Sequence, residues 1–258
     1  MSACSTTGAV CEEYIANVVA RGFTPRAAVI NVPNAPTMTN GKAFGDVDLA
    51  AFKAFVDEGR ALATGPRIFA INPTPNDTGG PGAAGDASTV SVMHPWSDPW
   101  WENYRIAMLY GGGVALDTPP FEFFSAFPTK VQQAAYQKFI VDILMWAGEH
   151  NLWSAVLLSP DGDNTKFLTS ARRMVSVLDA AGALPNHWVS ENYEECGTPY
   201  AQQCAPSAQT YGGSIGTETT PNSGAAIALW LAQHAPVRSY KGIFRGVTAP
   251  GQACIGGN

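Results

Sequence analysis

Four carboxylates in this 258-residue chain stand within three residues of the end of a short apolar or β-branched run. Asp117 follows Val114-Ala115-Leu116, and Asp161 follows the run from Trp153 to Leu158. Glu191 follows His187 to Val189, and Glu218 follows Ser214 to Thr217. Runs of this length, bounded by Pro, Asn, Asp and Ser, read as strands. If the strands are parallel, their carboxyl ends share the face on which such folds bind ligands. Two carboxyl groups of unequal ionisation on one face are what hydrolysis of a glycosidic bond requires. One, protonated, donates to the leaving oxygen; the other, charged, attacks the sugar or activates water. Glu191 is the candidate general acid, Glu218 or Asp161 the nucleophile or base, and Asp117 a substrate-binding acid.

Each acid also has a structural explanation to be weighed. Asp161 and Asp163 stand where a helix cap is expected, which would account for one of them. Asp117, ahead of Thr118-Pro119-Pro120, could shape a turn, and Glu218 could be a solvated loop residue. Glu191 is the hardest to explain structurally. Ser190-Glu191-Asn192-Tyr193 groups a carboxylate, an amide and a phenol just past a strand, so Asn192 and Tyr193 join the candidate substrate-binding residues.

A second group of residues fits the same chemistry. His94, Trp96, Trp100, Trp101 and Tyr104 lie in one segment that follows the second expected strand. Indole offers a large apolar face and one donor, which suits the C–H face of a sugar ring. Trp100, Tyr104 and Met108 are also spaced as the core stripe of a helix, so about half of this aromatic content is expected in the core. His94 and Trp96, ahead of that helix, are expected in the cleft, and Trp100 and Trp101 are carried as further substrate-binding candidates.

The elements that must position these residues repeat one plan. Ala27 to Val32 and Arg67 to Ile71 read as strands ending in Pro33-Asn34 and Asn72-Pro73. Between them, Asp46 or Asp48 can cap a helix bearing Leu49, Phe52, Phe55, Val56 and Leu62. Residues 9–21 read as a short amphipathic helix, and 73–97 as a long irregular loop rich in glycine and proline. A helix is expected from Asp98 to Tyr110 with Pro99 at its first position. A longer one spans 129–149, with Val131, Ala135, Phe139, Ile143 and Trp146 at helical spacing. Asp163 or Asn164 caps a helix carrying Phe167, Leu168, Ala171, Met174, Val175 and Leu178, which closes at Ala181-Gly182. Asn222 or Ser223 caps another over Ala225 to Gln233, and Ser214–Thr217 and Tyr240–Val247 are the sixth and seventh strands.

Regular alternation of strand and helix implies a parallel sheet with helices outside. The expected fold is α/β: a TIM-like (β/α) barrel with irregular or missing units, in one domain over residues 1–258. An open doubly wound sheet is the alternative, though GxGxxG between a strand and a helix is absent.

Composition narrows the function classes. A net charge of −6 argues against a nucleic-acid partner. No apolar run reaches the ~18 residues of a membrane span, so no membrane partner is expected, and the chain is read as a monomer. His94, His150, His187 and His234 are scattered without a zinc spacing, and Asp161-Gly162-Asp163-Asn164 lacks the glycine a calcium loop needs, so neither metal nor cofactor is expected. Gly212-Gly213-Ser214-Ile215-Gly216 matches the hydrolase elbow, but no Asp follows Ser214 and the context lacks the buried strand and helix. Cys196 and Cys204 flank one loop and form the most plausible bridge, while Cys4, Cys11 and Cys254 could tie the termini. The expected location is secreted or periplasmic, with a leader replaced by Met1.

At the level of architecture the chain resembles the secreted barrel glycoside hydrolases, through its strand-end acids and aromatic-rich loop. The Asn-Glu pair that marks one large clan of these enzymes is reversed here as Glu191-Asn192. An Asp after the fourth strand and a Glu after the fifth is similar to the alpha-amylase arrangement, which implies that Asp161 and Glu191 could pair. The resemblance implies a carbohydrate substrate. A non-catalytic carbohydrate-binding or cell-surface protein is the second class, and a lyase or esterase using Tyr193 or Ser214 the third.

Overall fold

The computed structural model of the chain describes residues 25–30, 47–61, 65–73, 94–125, 127, 129–159, 166–190, 218–219 and 222–240. Five strands, β1 (Ala27–Ile30), β2 (Ile68–Ile71), β3 (Gly112–Asp117), β4 (Trp153–Leu158) and β5 (His187–Ser190), form one sheet. Every neighbouring pair is parallel, and the strands lie side by side in chain order. The described helices are α1 (Leu49–Ala61), α2 (Glu102–Gly111), α3 (Pro120–Ser125), α4 (Lys130–Glu149), α5 (Phe167–Ala180) and α6 (Gly224–His234).

The strand order decides how the helices are arranged. A doubly wound sheet reverses direction at a switch point and carries helices on both faces. Here nothing reverses, and right-handed crossovers then put every connecting helix on one face. The packing agrees. Ile30, Phe69, Ile71, Val114, Leu116, Val156 and Leu158 point outward into one core with the helix side chains. The alternate residues Ile68, Ala70, Ala115, Trp153, Ala155 and Leu157 form a second cluster on the inner face, which no residue of the described helices enters. The sheet curls about that inner face as half of a barrel wall.

Local chemistry explains most boundaries. Asp48 caps α1, its Oδ1 accepting from the N–H groups of Ala50 and Ala51, both at 3.0 Å. Asp98 caps a 3₁₀ turn, Pro99–Trp101, that leads into α2, with Pro99 in the first position as its missing N–H allows. Thr129 caps α4 and Ser223 caps α6. At the end of α2, Gly112 has φ 86°, the left-handed conformation in which glycine carries no Cβ penalty. A Cβ on Gly111 would collide with the Phe69 carbonyl, so glycine is what lets α2 press against β2.

Several expectations are corrected. The cap position of α5 is Lys166, and the Leu168 N–H donates to Asn222 Oδ1 at 3.0 Å; the expected caps, Asp163 and Asn164, lie outside the described residues. Val131, expected on the core stripe of α4, is 80% exposed, and the buried face of that helix centres on Tyr136, Phe139, Ile140, Ile143 and Leu144. The short helix α3 was not expected at all. The helix proposed at 9–21, the strand at 214–217 and all five cysteines lie outside the described residues. So does the strand at 240–247, except for Tyr240, which is irregular. No described helix is long and apolar enough to cross a membrane.

Candidate functional site

At the C-terminal end of the sheet, side-chain alternation settles which groups face inward. Ile68 and Ala70 lie in the inner cluster, so Asn72, next in that series, continues the inner face of β2. Ala115 lies in the same cluster, and Asp117 follows it on β3, in register with the inner residue Leu157 of β4. The two upper residues meet. The Asp117 N–H donates to Asn72 Oδ1 at 3.1 Å. β2 ends at Ile71, ahead of Asn72-Pro73, and offers no further strand carbonyl, so the side-chain amide of Asn72 takes its place. The Asn72 N–H continues the sheet pairing on the other side, donating to the Ile30 carbonyl at 3.0 Å.

Asn72 is only 3% exposed, whereas Asp117 is half-buried. Because Oδ1 is held by a backbone N–H, the amide orientation is fixed and Nδ2 is the group left to donate. Among the described residues, no acceptor is bonded to that Nδ2. One residue past Asp117, Thr118 is fully buried and its Oγ1 is likewise without a partner among the described residues. Leaving a buried polar group unpaired costs about 1–3 kcal/mol. Ser159, just past β4, is buried at the same end. The Ser190 hydroxyl at the end of β5 donates to the Gly224 carbonyl at 3.0 Å, which fixes the start of α6 beside this edge.

Of the candidate acids, Asp117 stands on the inner face at the strand ends. Glu218 is exposed in a turn ahead of α6. Asp161, Glu191, Asn192 and Tyr193 lie outside the described residues; in sequence, Glu191 is the residue after β5 and Asp161 the third after β4.

The aromatic segment is different from what its composition promised. Trp96 and Trp101 are 4% and 0% exposed. Trp96 packs on Trp146 and Phe139 of α4, with ring centroids 5.5 and 6.0 Å apart, and Trp101 packs on Phe139 at 4.9 Å. Both rings are therefore interior to the helix layer and present no face to a ligand, which removes them from the expected substrate wall. The Arg105 guanidinium covers Trp96 further and donates to its carbonyl.

His94 and Trp100 remain accessible, and they occupy each other. Their rings stack 5.0 Å apart, 7° from parallel. Asp98 holds this pair in place: Oδ1 accepts the Trp100 N–H at 2.8 Å, and Oδ2 lies 3.2 Å from His94 Nδ1. The Trp100 N–H, and after it His94, hold the Asp98 carboxyl below the usual carboxylate range. Sequence reasoning missed Asn72. Its only local signal is a polar residue in inner-face phase directly after an entirely buried strand, followed by a proline that ends the pairing.

The described residues therefore define a parallel α/β protein wound on one side, with Asn72 and Asp117 at the inner upper edge. No protein-family model matches the chain, and neither a curated protein nor a solved structure does.

Proposed function

We propose that the chain is a secreted (β/α)-barrel glycoside hydrolase acting on a polysaccharide or oligosaccharide. The observation that carries this reading is the unreversed parallel order of β1 to β5. In such a sheet the residues that follow each strand share one end, where one-sided α/β folds place their chemistry. Asp117 stands on the inner face there, and Glu191 and Asp161 follow β5 and β4 in the chain. Glu191 serves as general acid. Asp161 is the first choice of nucleophile or base because it follows a strand of the same sheet, and Glu218, exposed ahead of α6, is the second. Asn192 and Tyr193, next to Glu191, contact the sugar. His94 with Trp100 supplies the stacking surface that Trp96 and Trp101 do not.

The barrel is completed in this reading by strands from the remainder of the chain. The test is reducing-sugar release from a panel of plant, fungal and bacterial polysaccharides by wild type and Glu191→Ala. Wild type is expected to hydrolyse at least one, and Glu191→Ala to lose about a thousandfold or more in kcat with its unfolding midpoint unchanged. Undiminished turnover by the variant overturns the assignment of Glu191. Binding without any product release by wild type overturns the reading as an enzyme.

A further inference from the structure

We infer that Asn72 is a positioning residue of the strand-end site: its side-chain amide holds the backbone of Asp117 and so decides where that acid stands. This rests on the reading of the strand ends as a carbohydrate site with Asp117 among its binding residues, and it gives Asn72 a part that the reading does not assign. In the register of the sheet, β2 follows β3 only as far as Val114, opposite Ile71. β4 follows it further, to Asp117 opposite Leu157, and the Thr118 N–H donates to the Leu157 carbonyl at 3.1 Å. At Asp117 the ladder thus continues on the β4 side and has ended on the β2 side. What holds Asp117 from β2 is one side-chain atom, Asn72 Oδ1, accepting its N–H at 3.1 Å.

Two features separate this contact from ordinary strand pairing. Asn72 is 3% exposed, so the bond lies out of water, where a hydrogen bond is stronger. The Asn72 backbone N–H donates separately to the Ile30 carbonyl at 3.0 Å, so β1 and β2 stay joined there whatever side chain stands at position 72. Truncating Asn72 therefore releases one N–H, that of Asp117, and leaves the ladder below it in place. Asp117 has a further interaction of its own. Asn72 acts on where the backbone of that residue stands, not on what its carboxylate meets. Misplacing a binding group by about 1 Å is enough to cost up to about a hundredfold in productive geometry.

The experiment measures KM and kcat for wild type, Asn72→Ala, Asp117→Asn and the double variant, on the polysaccharide that wild type hydrolyses fastest. Asn72→Ala is expected to raise KM about tenfold with kcat within about threefold of wild type. Asp117→Asn should raise KM by a similar factor. The double variant should exceed Asp117→Asn by no more than about twofold, because a misplaced residue matters little once its carboxylate is gone. A purely structural Asn72 would lower the folded yield and leave the KM of the folded fraction alone. If Asn72→Ala does not fold, Asn72→Ser, whose hydroxyl is too short to reach the Asp117 N–H, takes its place; failure of both to fold overturns the positioning role. An unchanged KM, or factors that multiply in the double variant, overturns it too, and Glu191-dependent hydrolysis in the same samples then leaves the glycosidase reading standing. If wild type hydrolyses nothing, dissociation constants for cello-, xylo-, manno-, malto- and chito-trisaccharides replace KM. The same non-multiplying pattern there supports the positioning role and refutes the glycosidase, and no binding refutes both.

Discussion

The two ends of the sheet treat their polar groups in opposite ways. At the lower end, Asn186, Ser154 and Arg238 tie the feet of β4 and β5 to the segment after α6. Asn186 Oδ1 accepts from the Ser154 N–H at 2.8 Å, from the Ser154 hydroxyl and from Arg238 Nη2, while Asn186 Nδ2 donates to the Arg238 carbonyl. Arg238 Nη2 also donates to the Leu152 carbonyl at 2.8 Å. Burial lowers the Arg238 pKa, and its Nε is the one buried side-chain atom in this group with no partner. At the upper end, the Asn72 amide and the Thr118 hydroxyl keep hydrogen-bonding capacity that the described residues do not use. Interlocked groups at the bottom and uncommitted groups at the top are the division expected when stability and ligand binding occupy opposite ends of a parallel sheet.

That contrast can be broken from either side. The largest effect is expected at the lower end. Asn186→Leu removes the shared acceptor and leaves the Ser154 N–H and part of the Arg238 guanidinium unpaired, for a loss of about 3 kcal/mol in urea unfolding. Under the proposed function, turnover per folded molecule should stay within about twofold of wild type, because the proposed reacting groups follow the opposite ends of the strands. A large loss of turnover in the folded fraction would show that the ends do not divide the work.

Asp117→Asn should do the reverse. The backbone bond to Asn72 survives, so stability is expected to change by less than about 1 kcal/mol. Loss of the charged acceptor should weaken oligosaccharide binding roughly tenfold, about 1.4 kcal/mol, measured by calorimetric titration. The smallest effect concerns His187, which packs against Trp153 with ring centroids 5.3 Å apart. Desolvation, and then the Arg26 charge, lower its folded pKa below 6.5. The unfolded chain therefore binds a proton at higher pH than the fold does. Stability should fall as pH drops below about 6.5 and level off below the folded value, and His187→Gln should flatten that part of the pH–stability curve.

What was legible in the sequence follows the range of the interactions involved. Asp98-Pro99 and Thr129 announce helix starts because the cap lies within three residues of its donor. The unbroken apolar run of β4 reads correctly because both of its faces are covered. Trp100 and Trp101 both read as substrate-binding candidates, with Trp100 also in phase with a core stripe, whereas Trp101 is fully buried and Trp100 partly exposed. The 3₁₀ turn at Pro99–Trp101 advances about 120° per residue instead of the 100° of an α-helix, which shifts the phase of the first turn. The helix α3 is six residues long, too short to display a period. Asn72 was invisible for another reason: its significance lies in Asp117, 45 residues away, and only strand pairing brings the two together.

The bond from the Leu168 N–H to Asn222 spans 54 residues, and it has a kinetic meaning. The first turn of α5 cannot acquire this acceptor until the chain that begins α6 has been made and docked. Asn222, in the left-handed conformation with φ 57°, thus joins the start of α5 to the start of α6. Hydrogen exchange at the Leu168 amide is accordingly expected to speed up in Asn222→Ala, which removes its acceptor.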